Sequence, residues 1–392
     1  MRVSGLKNKE IVIKWGQIHL FKSREEEKME RGVYEIMHKD RRVASVGLSG
    51  RCRIYYKSFL PYNLYLEEDR DLDTLVNNLT NFYYWCATRV LTLDRVYAKE
   101  ILNSMGMQQA VTDRDRAKIA LSYRCASLTD VFWVRMRGEK IGFDEMNLYE
   151  NHLDNTFLDI ALKGRQYTAE NQSLSRDAAT SGCFPKAWQR TGKGFRLLKD
   201  GGDQAVEREL LASQICRSFD VNQVLYEEGS FEGEKVSVSE NMTSWEYSIA
   251  SMEAFAIYVQ NHGRDVKTSV LKLDRHNYYM MNVVDYLVGN TDRHWGNWGV
   301  LVDNSNNRPV CLHKLMDFNQ SFHAYDQMEG ANCQTAFGEH MTQREAACRA
   351  VREVGLNQKE EIKKEIFSAL PEYYGMFRAR LGLLEEEASA SQ

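Results

Sequence analysis

The segment from Asn282 to Asn319 constrains this chain more than any other. Its apolar run from Val283 to Val288 reads as the last turns of a helix, which Gly289-Asn290 breaks. A polar loop follows and presents Asp292, Arg293, His294 and Asn297. Val300-Leu301-Val302, the turn Asp303–Arg308 and the returning apolar run Val310–Met316 then form a hairpin, which delivers Asp317-Phe318-Asn319. A hairpin brings its end back beside its beginning. The carboxylates of Asp292 and Asp317 and the amide of Asn297 are therefore expected in one pocket. Hard oxygen donors gathered from two loops suit a divalent cation and the phosphate oxygens it bridges, with a carboxylate left for an attacking hydroxyl.

Composition narrows the rest. The chain has 392 residues, 43% hydrophobic and 27% charged, enough to fill a sizeable core. Two or three packed units are expected, at roughly 100–200 residues each. A net charge of −4 argues against a protein that coats phosphate backbones, so no direct nucleic-acid binding is expected. No stretch approaches the ~18 apolar residues of a membrane helix. The opening residues Met1–Glu10 lack the apolar core of a signal peptide. The expectation is a cytoplasmic protein without membrane contact. The eight cysteines are widely spaced with no Cys-x-x-Cys, and the nine histidines form no His-Glu-x-x-His. Reduced, mostly buried thiols are expected, not a zinc site or a disulfide framework.

Periodicity supplies a coarse outline. Val33–Val46 reads as a hairpin around Lys39-Asp40-Arg41. Leu72, Leu75, Val76, Leu79, Phe82, Cys86 and Val90 recur at helical spacing, which predicts a helix over Asp71–Leu91 with that face buried. A second helix is expected over Asp94–Met105, capped by Gly106. The charged runs Glu25–Lys28 and Glu385–Glu387 read as solvated ends. After the turn Thr191–Gly194 comes a strand, Phe195–Lys199, then a helix over Val206–Phe219. Two strands, Val221–Tyr226 and Lys235–Ser239, are expected around a loop at Glu227–Glu234, with mainly helical sequence from Trp245 onward.

The segment around Asp292 resembles the HipA-like serine/threonine kinases of bacteria, and also the Asp-Arg-His-x-x-Asn loop of phosphatidylinositol kinases. The spacing of Asp292 and Asn297 is that of the catalytic-loop Asp and Asn of protein kinases. Asp317-Phe318-Asn319 resembles the metal-binding Asp-Phe-Gly, with Asn in place of Gly. Ser175 to Trp188, with Pro185-Lys186 near its end, is similar to the family's nucleotide loop. Phe195–Lys199 resembles the strand of the ATP-binding lysine, and Glu209–Ser213 the helix whose glutamate pairs with it. Leu128–Val134 through Glu145–Asn151 resembles the segment preceding the kinase core in one HipA-like branch. The resemblance spans about residues 120–385 and is strongest over 175–325. Neither Gly-x-Gly-x-x-Gly before the lysine strand nor a P-loop occurs, so dinucleotide-fold and P-loop readings are weak.

What the resemblance implies is an α+β, two-lobed protein-kinase-like fold of HipA type. It would comprise an N-terminal α+β domain over 1–165, a small lobe over 166–245 and a mainly helical large lobe over 246–392. ATP and Mg2+ would be the cofactors. Asp292 would accept the proton of the attacking hydroxyl, and Asn297 and Asp317 would hold Mg2+. Lys199 would bind the α/β-phosphates, oriented by Glu209 or Glu207. Arg293 would hold a carboxylate or an incoming phosphate, and His294 would brace the loop. Thr180, Ser181, Gly182 and Lys186 would meet phosphates. Ser239, Glu240 and Met242 would lie against adenine. The acceptor would be a Ser or Thr of a protein, with a separate antitoxin or regulatory partner. A lipid or small-molecule kinase with the same residues and a nucleotide-binding pseudokinase scaffold remain the alternatives.

Overall fold

Strand β1 (Val33–His38) turns at Lys39-Asp40, Lys39 in the left-handed region (φ 51°), and returns as β2 (Arg41–Gly47). In a computed structural model, which describes residues 32–89, 112–122, 124–149, 186–191, 194–323 and 325–390, this hairpin forms as the sequence predicts. With β3 (Cys52–Ile54) and β4 (Phe132–Met136) it makes an antiparallel sheet in the order β3-β2-β1-β4. Helices α1 (Leu72–Ala87) and α2 (Asp113–Ser122) pack together on it. A single-turn helix α3 (Phe143–Met146) follows β4.

Helix α1 corrects one expectation. Asp71 caps it, its carboxylate accepting from the Thr74 N–H at 2.9 Å, but its buried face carries Thr74, Asn78, Phe82, Trp85 and Cys86. Leu72 and Val76 are exposed. Asn78 is buried because its amide is fully used, donating to the Gly50 and Glu67 carbonyls and accepting from the Glu67 N–H. The helix ends at Ala87, short of the expected Thr88 and Arg89, while Val90 and Leu91, the helix over Asp94–Met105, Glu25–Lys28 and the boundary near 165 lie outside the described residues.

A second antiparallel sheet runs β5 (Lys186–Thr191), β6 (Gly194–Lys199), β8 (Glu234–Glu240), β7 (Tyr226–Phe231) in spatial order. Alternate residues of a strand face opposite sides. Ala187, Leu198 and Val236 therefore point one way, into a core shared with Ile36, Phe132 and Val134 of the first sheet. Lys199, Leu197, Ser237, Ser239 and Tyr226 point the other way, toward helix α4 (Asp203–Arg217) and the cleft beyond. The strand expected over Val221–Tyr226 instead begins at Tyr226, and its loop shrinks to Glu232-Gly233. Residues 222–224 are otherwise engaged: Gln223 bridges Leu315 in parallel.

The remainder is mainly helical, with a strand the sequence did not announce. β9 (Tyr247–Ser251) pairs with β10 (Gly299–Asp303), which forms the expected hairpin with β11 (Arg308–Leu312). A Cβ on Gly299 would stand 2.0 Å from the Ala250 carbonyl oxygen, so this pairing requires glycine. Helices α5 (Met252–Asn261), α6 (Val266–Val288), α7 (Gln343–Val354) and α8 (Tyr374–Ala390) enclose the largest core. The C-terminal half of α6, from Tyr278 to Val288, is buried throughout and stops at Gly289 in the left-handed conformation (φ 60°). Among the described residues no helix is long and apolar enough to cross a membrane, and the described cysteines are all free thiols. Four of these are buried: Cys86, Cys125, Cys216 and Cys348.

Candidate functional site

The end of α6 builds the polar loop. Asp285, buried one turn before the helix stops, receives Arg293 in a bidentate pair: Nε to Oδ2 at 2.9 Å and Nη2 to Oδ1 at 3.0 Å. Arg293 Nη1 also donates to the Asn297 carbonyl at 3.0 Å and to the Met316 carbonyl. The guanidinium thus ties helix, loop and hairpin end together. The Asn290 carboxamide reinforces the turn, donating to Asp285 and accepting from the Asp292 N–H at 3.1 Å.

Arg293 is 3% exposed and its donors face inward, so it cannot also meet an incoming phosphate. Of the two roles expected of it, holding a carboxylate is the one formed here, with Asp285. His294 is half-exposed; its Nδ1 accepts from the Gly296 N–H at 3.0 Å, and its Nε2 stands 4.0 Å from Asp292 Oδ1.

Asp292 and Asn297 meet directly. The Asn297 amide nitrogen donates to the Asp292 carbonyl at 2.7 Å and lies 3.4 Å from its carboxylate. That commits the nitrogen and leaves the side-chain oxygen of Asn297 as its coordinating atom. Burial, and secondarily the charge of Asp317, raise the Asp292 carboxyl above its ordinary pKa, against the opposing pull of His294.

The second cluster joins both sheets. Lys199 Nζ donates to Glu209 Oε1 at 2.8 Å, to Asp317 Oδ1 at 2.9 Å and to the Tyr226 hydroxyl at 3.3 Å. Glu207 takes no part in this cluster: it pairs with Lys235. Glu209 also accepts from the Ser237 hydroxyl and, at 3.3 Å, from the Phe318 N–H. Burial would push the Lys199 ammonium down, but Asp317 and Glu209 hold it well above its usual value. Asp317 shows the reverse. Burial would raise its carboxyl, and Lys199, followed by Lys186, holds it well below the carboxylate range. Asp317 sits in the left-handed region at φ 61°.

One cleft of about 590 Å³ connects these groups. Lys186, Lys199, Asp317, Asn297 and His294 line it, as do Ser239, Glu240 and Met242 where the chain crosses between the sheets. Asp292 stands beside Asn297, outside the cleft wall. Lys186 opens strand β5 opposite Lys199. Thr180, Ser181 and Gly182 lie outside the described residues.

Three contributors escaped the sequence reading. Asp285 had a signal, a lone carboxylate inside an apolar helix end, which requires a buried cation as partner. Tyr226 and Ser237 had none, since only the fold brings them to Lys199 and Glu209. Hard oxygen donors at Asp317 and Asn297 beside a buried lysine form a set suited to a magnesium ion and polyphosphate oxygens.

No protein-family model matches the chain, and no curated protein matches it in sequence. Solved structures do. HipA, in the Shewanella oneidensis MR-1 toxin–antitoxin complex of HipA, HipB and operator DNA, superposes with a TM-score of 0.53 at 13% identity, over 91% of this chain and 99% of that one. The Helicobacter pylori proinflammatory kinase CtkA aligns with a TM-score of 0.43 at 12% identity, over 54% of this chain and 92% of its own. The likeness to HipA shows the fold: α+β, in the arrangement of HipA, along nearly the whole chain.

Proposed function

We propose that this chain is an ATP- and Mg2+-dependent kinase of HipA type that phosphorylates a Ser or Thr hydroxyl of a protein. The observation that carries the reading is Lys199, which joins Glu209 of one sheet-and-helix unit to Asp317 of the other inside a cleft of ligand size.

Each residue then has a physical task. Lys199, kept charged by two carboxylates, binds the α/β-phosphates. Ser239–Met242, at the end of β8, lies against adenine, and Lys186 faces the phosphates from β5. Asp317 and the side-chain oxygen of Asn297 would hold Mg2+, which would supply positive charge against the phosphates. Asp292 orients the acceptor hydroxyl and takes its proton, a task favoured by a carboxyl raised toward working pH. Arg293 keeps the loop in this geometry without touching the reactants. Catalysis of this kind is positioning and electrostatics, so small displacements of the loop are costly.

The HipA of the solved complex is accompanied by HipB. A separate antitoxin-like partner in the cytoplasm, with a role in growth control or defence, is part of the same proposal.

The test is transfer of labelled γ-phosphate from ATP to protein, with this chain and a cell extract as acceptors, followed by identification of the phosphorylated residue. Mg2+-dependent phosphoserine or phosphothreonine, lost in Asp292→Asn, is expected. Label appearing in lipid or small molecules alone would replace the acceptor class. ATP binding without transfer would make the chain a scaffold.

A further inference from the structure

We propose that Tyr226 is a positioning residue of this site: its phenol oxygen anchors the Asp317 main chain while a cation and a nucleotide separate the Lys199–Asp317 pair. The consequence rests on the kinase reading; the geometry does not.

Tyr226 is held on several sides. Two residues earlier, the Val224 N–H donates to the Leu315 carbonyl at 2.8 Å, and the Leu315 N–H donates to the Asn222 carbonyl at 2.8 Å. This parallel pairing carries Tyr226 alongside Asp317, three residues beyond Gln223 and two beyond Leu315. The Tyr226 N–H donates to Ser213 Oγ at 3.2 Å, and the ring meets Phe318 edge-on at 6.4 Å between centroids. The hydroxyl oxygen then accepts twice, from the Asp317 N–H at 3.0 Å and from Lys199 Nζ at 3.3 Å. The ammonium also stands 5.0 Å from the ring centroid. Tyr226 is 5% exposed, so no solvent replaces these contacts.

A non-glycine residue at φ 61° persists only where its surroundings over-determine it. In the described structure Asp317 has two such restraints, its side chain on Lys199 and its N–H on Tyr226. When Asp317 turns its carboxylate to a metal and Lys199 turns to phosphate, the first restraint is gone. The bond to Tyr226 remains. The ligand carboxylate is thereby presented in the same conformation with and without its lysine.

Tyr226→Phe in the full chain tests this, since it keeps the ring, its contact with Phe318 and its volume, and removes only the oxygen. Amide hydrogen exchange is read first, in nucleotide-free protein. Exchange at the Asp317 N–H is expected to rise about ten-fold, the loss of one buried hydrogen bond. Unchanged exchange overturns the anchor.

The second readout is melting temperature titrated with Mg2+ at saturating ATP. The Mg2+ concentration at half-maximal shift is expected to rise about ten-fold, while binding of metal-free ATP changes less than about two-fold. Equal weakening of both overturns the positioning role. A wild-type protein with no Mg2+-dependent response contradicts the kinase reading, and the exchange result then decides the anchor by itself. Should Tyr226→Phe not fold, protection of the Asp317 amide in wild type decides: open-loop exchange there overturns the proposal.

Discussion

Lys199 and Asp317 stand 118 positions apart in sequence and 2.9 Å apart in space. Lys199 sits on a strand of the β5–β8 sheet, and Asp317 follows the β10–β11 hairpin, so this contact ties the two halves of the site. Glu209, 1% exposed, shares the same ammonium at 2.8 Å. A buried carboxylate and a partly buried one thus share one cation.

Replacing that cation exposes the dependence. Lys199→Met should destabilise the protein by about 4 kcal/mol, because Glu209 and Asp317 lose their counter-charge. Asp317, whose carboxyl is depressed, adds stability that is present above the ordinary pKa of 3.8 and is lost as pH falls through the lower folded value. The variant should lack that acid-side loss. Urea unfolding at neutral pH and at acid pH measures both.

Asp292→Asn should behave in the opposite way. A carboxyl raised on folding favours the folded state only at low pH, and that advantage disappears as pH rises through the raised value. At pH 7 the carboxylate is therefore a liability to stability, as expected of a group that the proposed transfer requires. Thermal melts at pH 7 should give a melting temperature equal to or above wild type, with phosphate transfer abolished. A clear drop in melting temperature would assign Asp292 a structural role.

Two buried histidines set a second pH dependence. His313, near the site, and His38, in the first sheet, are both pushed down to about 4, chiefly by burial. Each is neutral in the fold and charges more readily once unfolded. Stability is therefore full above the ordinary value of 6.5 and falls as pH drops toward 4, by on the order of 3 kcal/mol per histidine. His313→Gln should flatten the slope of unfolding free energy against pH by about half over that interval, whatever its effect at pH 7.

Arg293→Lys tests the brace. Lysine keeps the charge but cannot span Asp285 and two carbonyls with one planar fork. A loss of about 3 kcal/mol is expected, with transfer falling further than stability alone explains. Denaturant midpoints and initial rates below the melting range separate the two effects. An unaltered rate would show that the loop holds without the fork.

Much of this was legible in the sequence where local and global preferences agree. The β1–β2 hairpin, the stop at Gly289 and the β10–β11 return form as their turn chemistry predicts. The α1 face did not, because Asn78 is buried through satisfied hydrogen bonds and hydropathy alone ranks it as exposed. Strand β7 was displaced because residues 222–224 pair with Leu315, a contact invisible to any local window. β5 and β9 carry mixed polar patterns, for they border the cleft. Tyr226 reaches the site by the same long-range register, whereas the spacing of Asp292, Asn297 and Asp317 carries its meaning within one continuous segment.

The most direct measurement is a thermal melt with ATP, with and without Mg2+, on wild type and on Asp317→Asn. At 100 times its dissociation constant a ligand stabilises by about 2.7 kcal/mol, a shift of a few degrees. A Mg2+-dependent shift in wild type that disappears in Asp317→Asn is the predicted result. No shift in folded wild type, or the same metal-dependent shift in both proteins, would contradict the placement of nucleotide and metal at Lys199, Asn297 and Asp317.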